Sequence, residues 1–392
     1  MSNDGAANKS EYCPFSESTL NEPSVAYEYL LHDAPVHFYS DYDPAFYTLS
    51  RFADVERALR DIATYSSEFG QGPRFTAPVG MLSNPPQHTF FRSLVQKAFT
   101  PKAVQAMGPR IKALAHELLD GVAGRAEFDV HDDYAFPLPV IIISEMLGVP
   151  KDDIALFKRW SDASVEAMGA EDPTPWAGDL QDLASYINDQ IVKRRRADNP
   201  PDDLITRLVQ VRQDGQGLKD EDVVGVINQL LVGGNETTTS LITNAVWRLL
   251  EQPMLWRRLV EDPSLVERAI EESLRFDPPV LGLYRNTARD TTLHGCTIPE
   301  NAKVMLHYAA ANRDPAVWDN PNEFSLDREP KRHLAFGLGV HFCLGAELAR
   351  LEGRTALEVL VERCPDLALI DRGERIKPFF LWGRRRLPVR RG

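Results

Sequence analysis

A chain of 392 residues, 43% of them hydrophobic, buries enough apolar surface for one large domain or two modest ones, so an enclosed site is within its reach. Its net charge of -13 repels polyphosphate backbones and anionic lipid head groups, which excludes nucleic acid as a natural partner. Four cysteines, Cys13, Cys296, Cys343 and Cys364, stand far apart without a CxxC pair, which excludes a disulfide scaffold or zinc ribbon and fits a reducing compartment.

Residues 1–20 read as a loose polar arm ahead of a single domain at 21–392 that carries a small β-rich lobe. The first thirty residues lack a basic stretch followed by an apolar one, so no cleaved leader is expected. The longest apolar run, residues 140–143, is far short of the roughly 20 residues that cross a bilayer. A cytoplasmic protein with no membrane partner is expected. Strand-like pieces occur at 38–39, 46–49, 292–293, 303–307 and in the 379–387 region. Apolar positions three and four apart predict helices at 104–119, 155–168, 180–195 and 202–211, so the fold class is mainly α with a minor β region.

The longest periodic segment, 222–250, opens on Asp222 as its N-cap and spans roughly 40 Å at about 1.5 Å per residue. It is apolar on most sides and therefore central. Gly233 and Gly234 fall in its middle, where each costs about 1 kcal/mol against Ala, so close approach of a bulky ligand is the expected reason. Glu236 and Thr237 follow, an acid beside an alcohol. The hydroxyl can take a backbone carbonyl one turn earlier, and the carboxylate can carry protons through water. Asn235 is expected to point into the pocket. Further on, Glu272 and Arg275 share a helical face and, taken alone, read as a surface ion pair worth a few tenths of a kcal/mol.

Near the C-terminus a Gly-rich turn, residues 336–342, delivers Cys343 to the start of an apolar-periodic helix at 346–361. Taken alone, such a cysteine is an inert core residue. Backbone N–H groups and a helix N-terminus aimed at the sulfur would instead lower its pKa and favour an iron-binding thiolate. The arrangement of Phe336, Gly339, Cys343 and Gly345 resembles the FxxGxxxCxG haem-binding signature of the cytochrome P450 family. The segment from Gly233 to Thr238 resembles that family's oxygen-binding helix, Glu272 and Arg275 its ExxR element, and His88 and Arg92 its HxxxR pair.

The resemblance runs over nearly the whole chain and implies the P450 fold, with haem b between the long helix and the helix after Cys343. Cys343 would be the metal ligand, with Gly233, Phe336, Gly339 and Gly345 around the ring. His88, Arg92, Arg285 and His341 would hold the two propionates. Glu236 and Thr237 would be catalytic. Glu272, Arg275 and an Arg supplied by Arg328 would lock the core beneath the Cys343 loop. The implied reaction inserts one atom of O2 into an organic substrate. Electrons would come from a ferredoxin with an NAD(P)H-dependent reductase, steered by Lys97, Lys102, Lys112, Lys331, Arg332, Arg350 and Arg354, and the chain would act as a monomer. Val79, Met81, Leu82, Leu231, Val232, Val280, Leu281, Leu283, Phe380 and Leu381 are expected to line an apolar pocket, which suits a hydrophobic small-molecule substrate: a terpenoid, steroid, fatty acid or aromatic. A haem-free hydrolase finds no GxSxG elbow or HExxH helix in its support.

Overall fold

The computed structural model describes residues 12–77, 80–170, 172–213 and 216–392. Helices dominate it, and each periodic segment forms one with slightly different ends. Pro101–Asp120 starts where the Thr100 hydroxyl accepts from the Ala103 N–H, and Leu204–Gln210 starts where the Asp203 carboxylate accepts from the Thr206 N–H at 2.7 Å. Ile154–Gly169 and Ala177–Arg196 complete the set. The long helix is Asp220–Glu251, with Lys219 rather than Asp222 as N-cap and no side-chain cap. Asp220, Glu221 and Asp222 occupy its first turn instead, where negative charge meets the positive end of the helix dipole.

This helix is buried on nearly every side over its second half. Leu241, Ile242, Ala245, Val246 and Leu249 are all within 2% of full burial. It packs against Pro137–Leu147, Ile154–Gly169, Val266–Phe276 and Ala346–Arg363, which makes it the axis of the helical lobe. The smaller lobe is a five-stranded sheet in the order Val36–Tyr39, Phe46–Leu49, Lys303–Leu306, Leu283–Thr287, Tyr65–Ser66. Lys303–Leu306 runs parallel to Phe46–Leu49, and the other pairs are antiparallel.

Two further expectations change. Tyr12 is buried, and Phe15 packs on Phe379 with ring centroids 4.5 Å apart, so residues 12–20 are not a loose arm; residues 1–11 lie outside the described residues. In the 379–387 region only Arg384–Arg386 is strand, because residues 379–382 turn back to bridge Leu381 to Val280. The strand Leu283–Thr287 was hidden by its polar Arg285 and Asn286, which are buried within the sheet.

Glu272 and Arg275 are not on the surface. Their side chains are 4% and 2% exposed, and the carboxylate takes two 2.7 Å bonds from the guanidinium. Arg328 adds a 3.1 Å bond to Glu272, and the Ser325 N–H another at 2.9 Å. Arg275 also donates to the carbonyls of Asn312, Pro321 and Glu323, and Arg328 to those of Asp319, Asn320 and Glu323. One carboxylate thus ties Val266–Phe276 to the irregular 312–328 segment. Removing one partner from such a buried network leaves an unpaired charge. Glu272→Gln should therefore lower unfolding free energy in urea by about 3–5 kcal/mol; a loss within the about 0.5 kcal/mol typical of surface changes would contradict that role.

Candidate functional site

The Cys343 loop forms one wall of a cavity of about 320 Å³, and the long helix forms the opposite wall. The loop turns tightly enough that Gly337 and Gly339 take φ of 65° and 72°. A Cβ on Gly339 would stand 2.8 Å from the Leu59 carbonyl, so the loop seats directly on Phe52–Arg60. The Cys343 N–H donates to the Phe336 carbonyl at 2.9 Å, and Gly345 is the N-cap of Ala346–Arg363. Burial pushes the Cys343 thiol up, against a Gly345 N–H bond and the charges of Arg92 and Arg350 that favour the thiolate. The expected lowering is therefore not reached, because that bond and those charges weigh less than burial. A metal cation on the sulfur is what would complete it.

On the long helix, Gly233, Gly234, Thr237 and Thr238 face the cavity. Thr237 Oγ1 donates to the Gly233 carbonyl at 2.7 Å, one turn back, as its position suggested. A Cβ on Gly233 would meet no atom within 4 Å; it would project into the cavity itself. Glu236 is not on this wall. Successive residues are turned by about 100° around a helix, so Thr237 looks in and Glu236 looks back. Its carboxylate is buried and accepts a long 3.4 Å bond from Ser240 Oγ. Burial pushes it up to about 7; His131 and Arg385 pull it down, and Asp162 pushes it further up. Asn235 does not reach the pocket either, since its Nδ2 donates to Ser161 Oγ at 2.9 Å.

His88 and Arg92, on Gln87–Val95, border the cavity with Arg285 and His341. Both ring nitrogens of His88 are buried without a hydrogen-bond partner, and its ring meets His341 edge-on at 4.5 Å. Arg285 is fully buried and donates to the neighbouring Tyr284 carbonyl. Burial lowers the pKa of Arg92 and of Arg285, and the partners that oppose this are Cys343 and Tyr308, not carboxylates. His341 is brought down to about 3 by burial and by the charges of Arg285, His88 and Arg92. Four basic groups without an acid around one cavity edge fit a ligand that brings its own carboxylates. The thiol, the open face at Gly233 and these four side chains together fit haem.

The rest of the wall is apolar, though not everywhere as expected. Met81, Leu82, Val280 and Leu283 line it, and Val79 lies outside the described residues. Leu231 and Val232 are turned into the core, and Leu230 faces the cavity instead. Leu281, Phe380 and Leu381 pack behind the wall, where the Leu281 N–H bonds the Phe380 carbonyl at 2.8 Å. Ile143 and Pro139 line the cavity from a helix with no special motif. Glu352 also faces it, fully buried, with burial pushing it up to about 8 against a hydrogen bond with Thr238. An acid in the otherwise apolar stripe of Leu348, Ala349 and Ala356 was the signal for it.

Residues 176–365 match the family model described as cytochrome P450. The chain is 38% identical over 365 residues to the vitamin D(3) 25-hydroxylase of Pseudonocardia autotrophica, covering 91% of this chain and 89% of that one. It is 39% identical over 355 residues to the erythromycin C-12 hydroxylase of Saccharopolyspora erythraea, covering 87% and 88% respectively. The solved structure of CYP109E1 from Bacillus megaterium in complex with testosterone is similar with a TM-score of 0.83 and 34% identity, covering 94% of this chain and 99% of that chain. Proteins of this kind bind haem b and need dioxygen, a substrate and a redox partner. No described helix is long and apolar enough to cross a membrane. The chain belongs to the cytochrome P450 family, as a monooxygenase with haem b for its cofactor.

Proposed function

We propose that this monooxygenase oxidises a hydrophobic small molecule and takes its electrons from a separate ferredoxin with an NAD(P)H-dependent reductase. The observation that carries the substrate reading is the two-sided cavity: basic side chains at one edge, and Met81, Leu82, Ile143, Leu230, Val280 and Leu283 elsewhere. An apolar substrate gains about 25 cal/mol per Å² buried against such a wall. The named relatives act on vitamin D(3) and erythromycin, and testosterone occupies a similar fold, which supports steroid and macrolide classes for the first screen.

Cys343 would hold the iron, His88, Arg92, Arg285 and His341 the two propionates, and Gly233, Phe336, Gly339 and Gly345 would shape the space about the ring. When bound, the haem supplies the oxygen-insertion chemistry, and its thiolate ligand favours O–O cleavage. Thr237, whose one hydroxyl hydrogen is engaged by the Gly233 carbonyl, keeps its oxygen lone pairs toward the cavity as a local acceptor. Glu236 titrates near neutrality, which suits a group that takes protons from the solvent side and gives them up. Because it faces away from Thr237, the proton passes by way of water at the turn where Thr237 takes a backbone carbonyl.

For the redox partner, the cations expected to steer it divide into two sets. Arg350 is held by Glu271, Arg354 lies beside Glu358, Arg332 is paired with Glu56, and Lys331 donates to the Val317 carbonyl, which weakens their claim. Lys97, Lys102 and Lys112 are exposed at and beyond the turn into Pro101–Asp120, the helix packed most extensively on Ala346–Arg363. They are the better anchors for an acidic ferredoxin on the Cys343 side. A monomer in the cytoplasm, formed by one domain that takes in the chain from Tyr12 onward, completes the proposal; the four unpaired cysteines support a reducing compartment.

Difference spectra with vitamin D(3), testosterone and a macrolide identify the substrate class; absence of any spectral shift and turnover across apolar compounds would overturn the apolar reading. Cys343→Ala should abolish the red-shifted carbon monoxide band of the reduced protein, and a retained band would contradict the ligand assignment. Thr237→Ala should keep its haem but send most reducing equivalents to peroxide, with full coupling to product as the contrary result. Because the acid form of Glu236 is depleted as pH rises through about 7, wild-type coupling should fall across that range. Glu236→Gln should be flat with pH and slower by about 100-fold, the low end for a lost general acid; a retained pH profile would remove Glu236 from the path.

A further inference from the structure

Lysine is seldom buried, because its ammonium loses water and needs other oxygens in return. Lys303 is 1% exposed, at the head of the sheet's central strand, with Phe46 and Asn286 as its neighbours on the adjacent strands. Its partners are not carboxylates. Nζ donates to the Phe69 carbonyl at 2.9 Å and the Gly72 carbonyl at 3.2 Å, with the Gly70 carbonyl at 3.5 Å, and lies 4.9 Å from the Phe75 ring centre. The Phe69 carbonyl also accepts from the Thr76 N–H, closing residues 69–76 into a loop around the charge. Gly70 has φ of 82° and meets Thr76 so closely that no side chain fits there.

This loop is part of the cavity wall. On its inner side, Gln71 lines the cavity and bonds His341 Nδ1 at 3.3 Å, and its carbonyl accepts from the Tyr284 N–H at 2.9 Å. On its outer side, Phe69 and Phe75 are exposed and meet edge-on. We propose that Lys303 is a positioning residue for this wall: its tethered ammonium holds the 69–76 loop closed, keeps Gln71 on His341, and so limits how fast small ligands enter and leave the cavity.

Burial, with repulsion from Arg285 added, brings Lys303 down to about 8. Arg285 on the neighbouring strand is the charged group that acts on it; Phe46 on the other strand is apolar, and the loop offers carbonyls. Below about 8 the group is an ammonium with three charge-assisted donors. Above it, a neutral amine has two weaker ones, and the loop loosens.

The test uses haem-loaded protein and imidazole as the entering ligand, with stopped-flow rates referred to neutral imidazole at pH about 6.5 and about 9.5, on either side of the imidazole and lysine transitions. Hydrogen-exchange protection of the 67–77 peptide, corrected for intrinsic exchange, is read on the same samples. Imidazole association and dissociation should quicken, and loop protection should fall, by about tenfold at the higher pH, the equivalent of one lost bond to a charged donor. Lys303→Met should be fast and poorly protected at both pH values. Wild-type rates and protection in Lys303→Met would overturn the proposal. So would pH-independent loop protection in the unaltered protein, which decides the matter even if the variant fails to fold. The rate arm rests on the haem and His341 assignments above, whereas the protection arm does not: absent imidazole spectra with intact pH-dependent protection would fault those assignments and leave Lys303 in place.

Discussion

A carboxylate buried between guanidinium groups is unstable unless every one of its oxygens is engaged, and Glu272 meets that condition with Arg275, Arg328 and the Ser325 N–H. The guanidinium donors left over have to be met as well, and they are met by carbonyls of residues 312–323. A stretch with little regular structure thereby acquires a fixed path. Asn312 carries that order onward, since its Oδ1 accepts from the Leu334 N–H at 2.7 Å just before the Cys343 loop. The position of the sulfur thus depends on a charge network two segments away.

The cavity above that loop has an electrostatic division that local packing could not produce. Burial lowers the proton affinity of every member of its basic edge, His88, Arg92, Arg285 and His341, and neighbouring cations add to this at the two histidines. Two ligand carboxylates would favour the charged forms there, so the haem binding proposed for this edge would be coupled to completion of the fold. Cys343 behaves in the same way: burial holds it as a thiol, and a cation is needed to make the thiolate the stable form.

On the opposite wall, helix geometry separates two groups that are neighbours in sequence. Thr237 sits at the cavity and Glu236 behind it, and burial brings the acid to about 7. Glu352 reaches the same neighbourhood from the helix after Cys343, through Thr238. Two neutral-range acids therefore flank one short stretch of the long helix, on different faces. Their burial, rather than their identity as Glu, tunes them for proton exchange at physiological pH.

Much of this was legible in the order of residues. Gly337 and Gly339 take the positive φ of a tight turn that the Gly-rich run before Cys343 already announces, and Thr237 finds Gly233 within its own helix. Periodicity sufficed for the long helix because a segment apolar on most sides has no stable place but the centre. Other features depend on which residues the fold brings together. Glu272 and Arg275 have the spacing of an ordinary surface pair, and burial by the 312–328 segment sets them apart. Leu230 in place of Leu231, and Phe380 behind rather than beside the cavity, follow from helix phase and from pairing with residues 280–281, which spacing does not register. Lys303 carried no signal at all, since its partners are backbone carbonyls more than two hundred residues away, and carbonyls are the same in every sequence. The Cys343 thiol shows the boundary between the two kinds of information: its Gly-rich turn and following helix are legible in the residues, but burial outweighs the Gly345 bond and the charges of Arg92 and Arg350 only because of how deeply the rest of the chain encloses it.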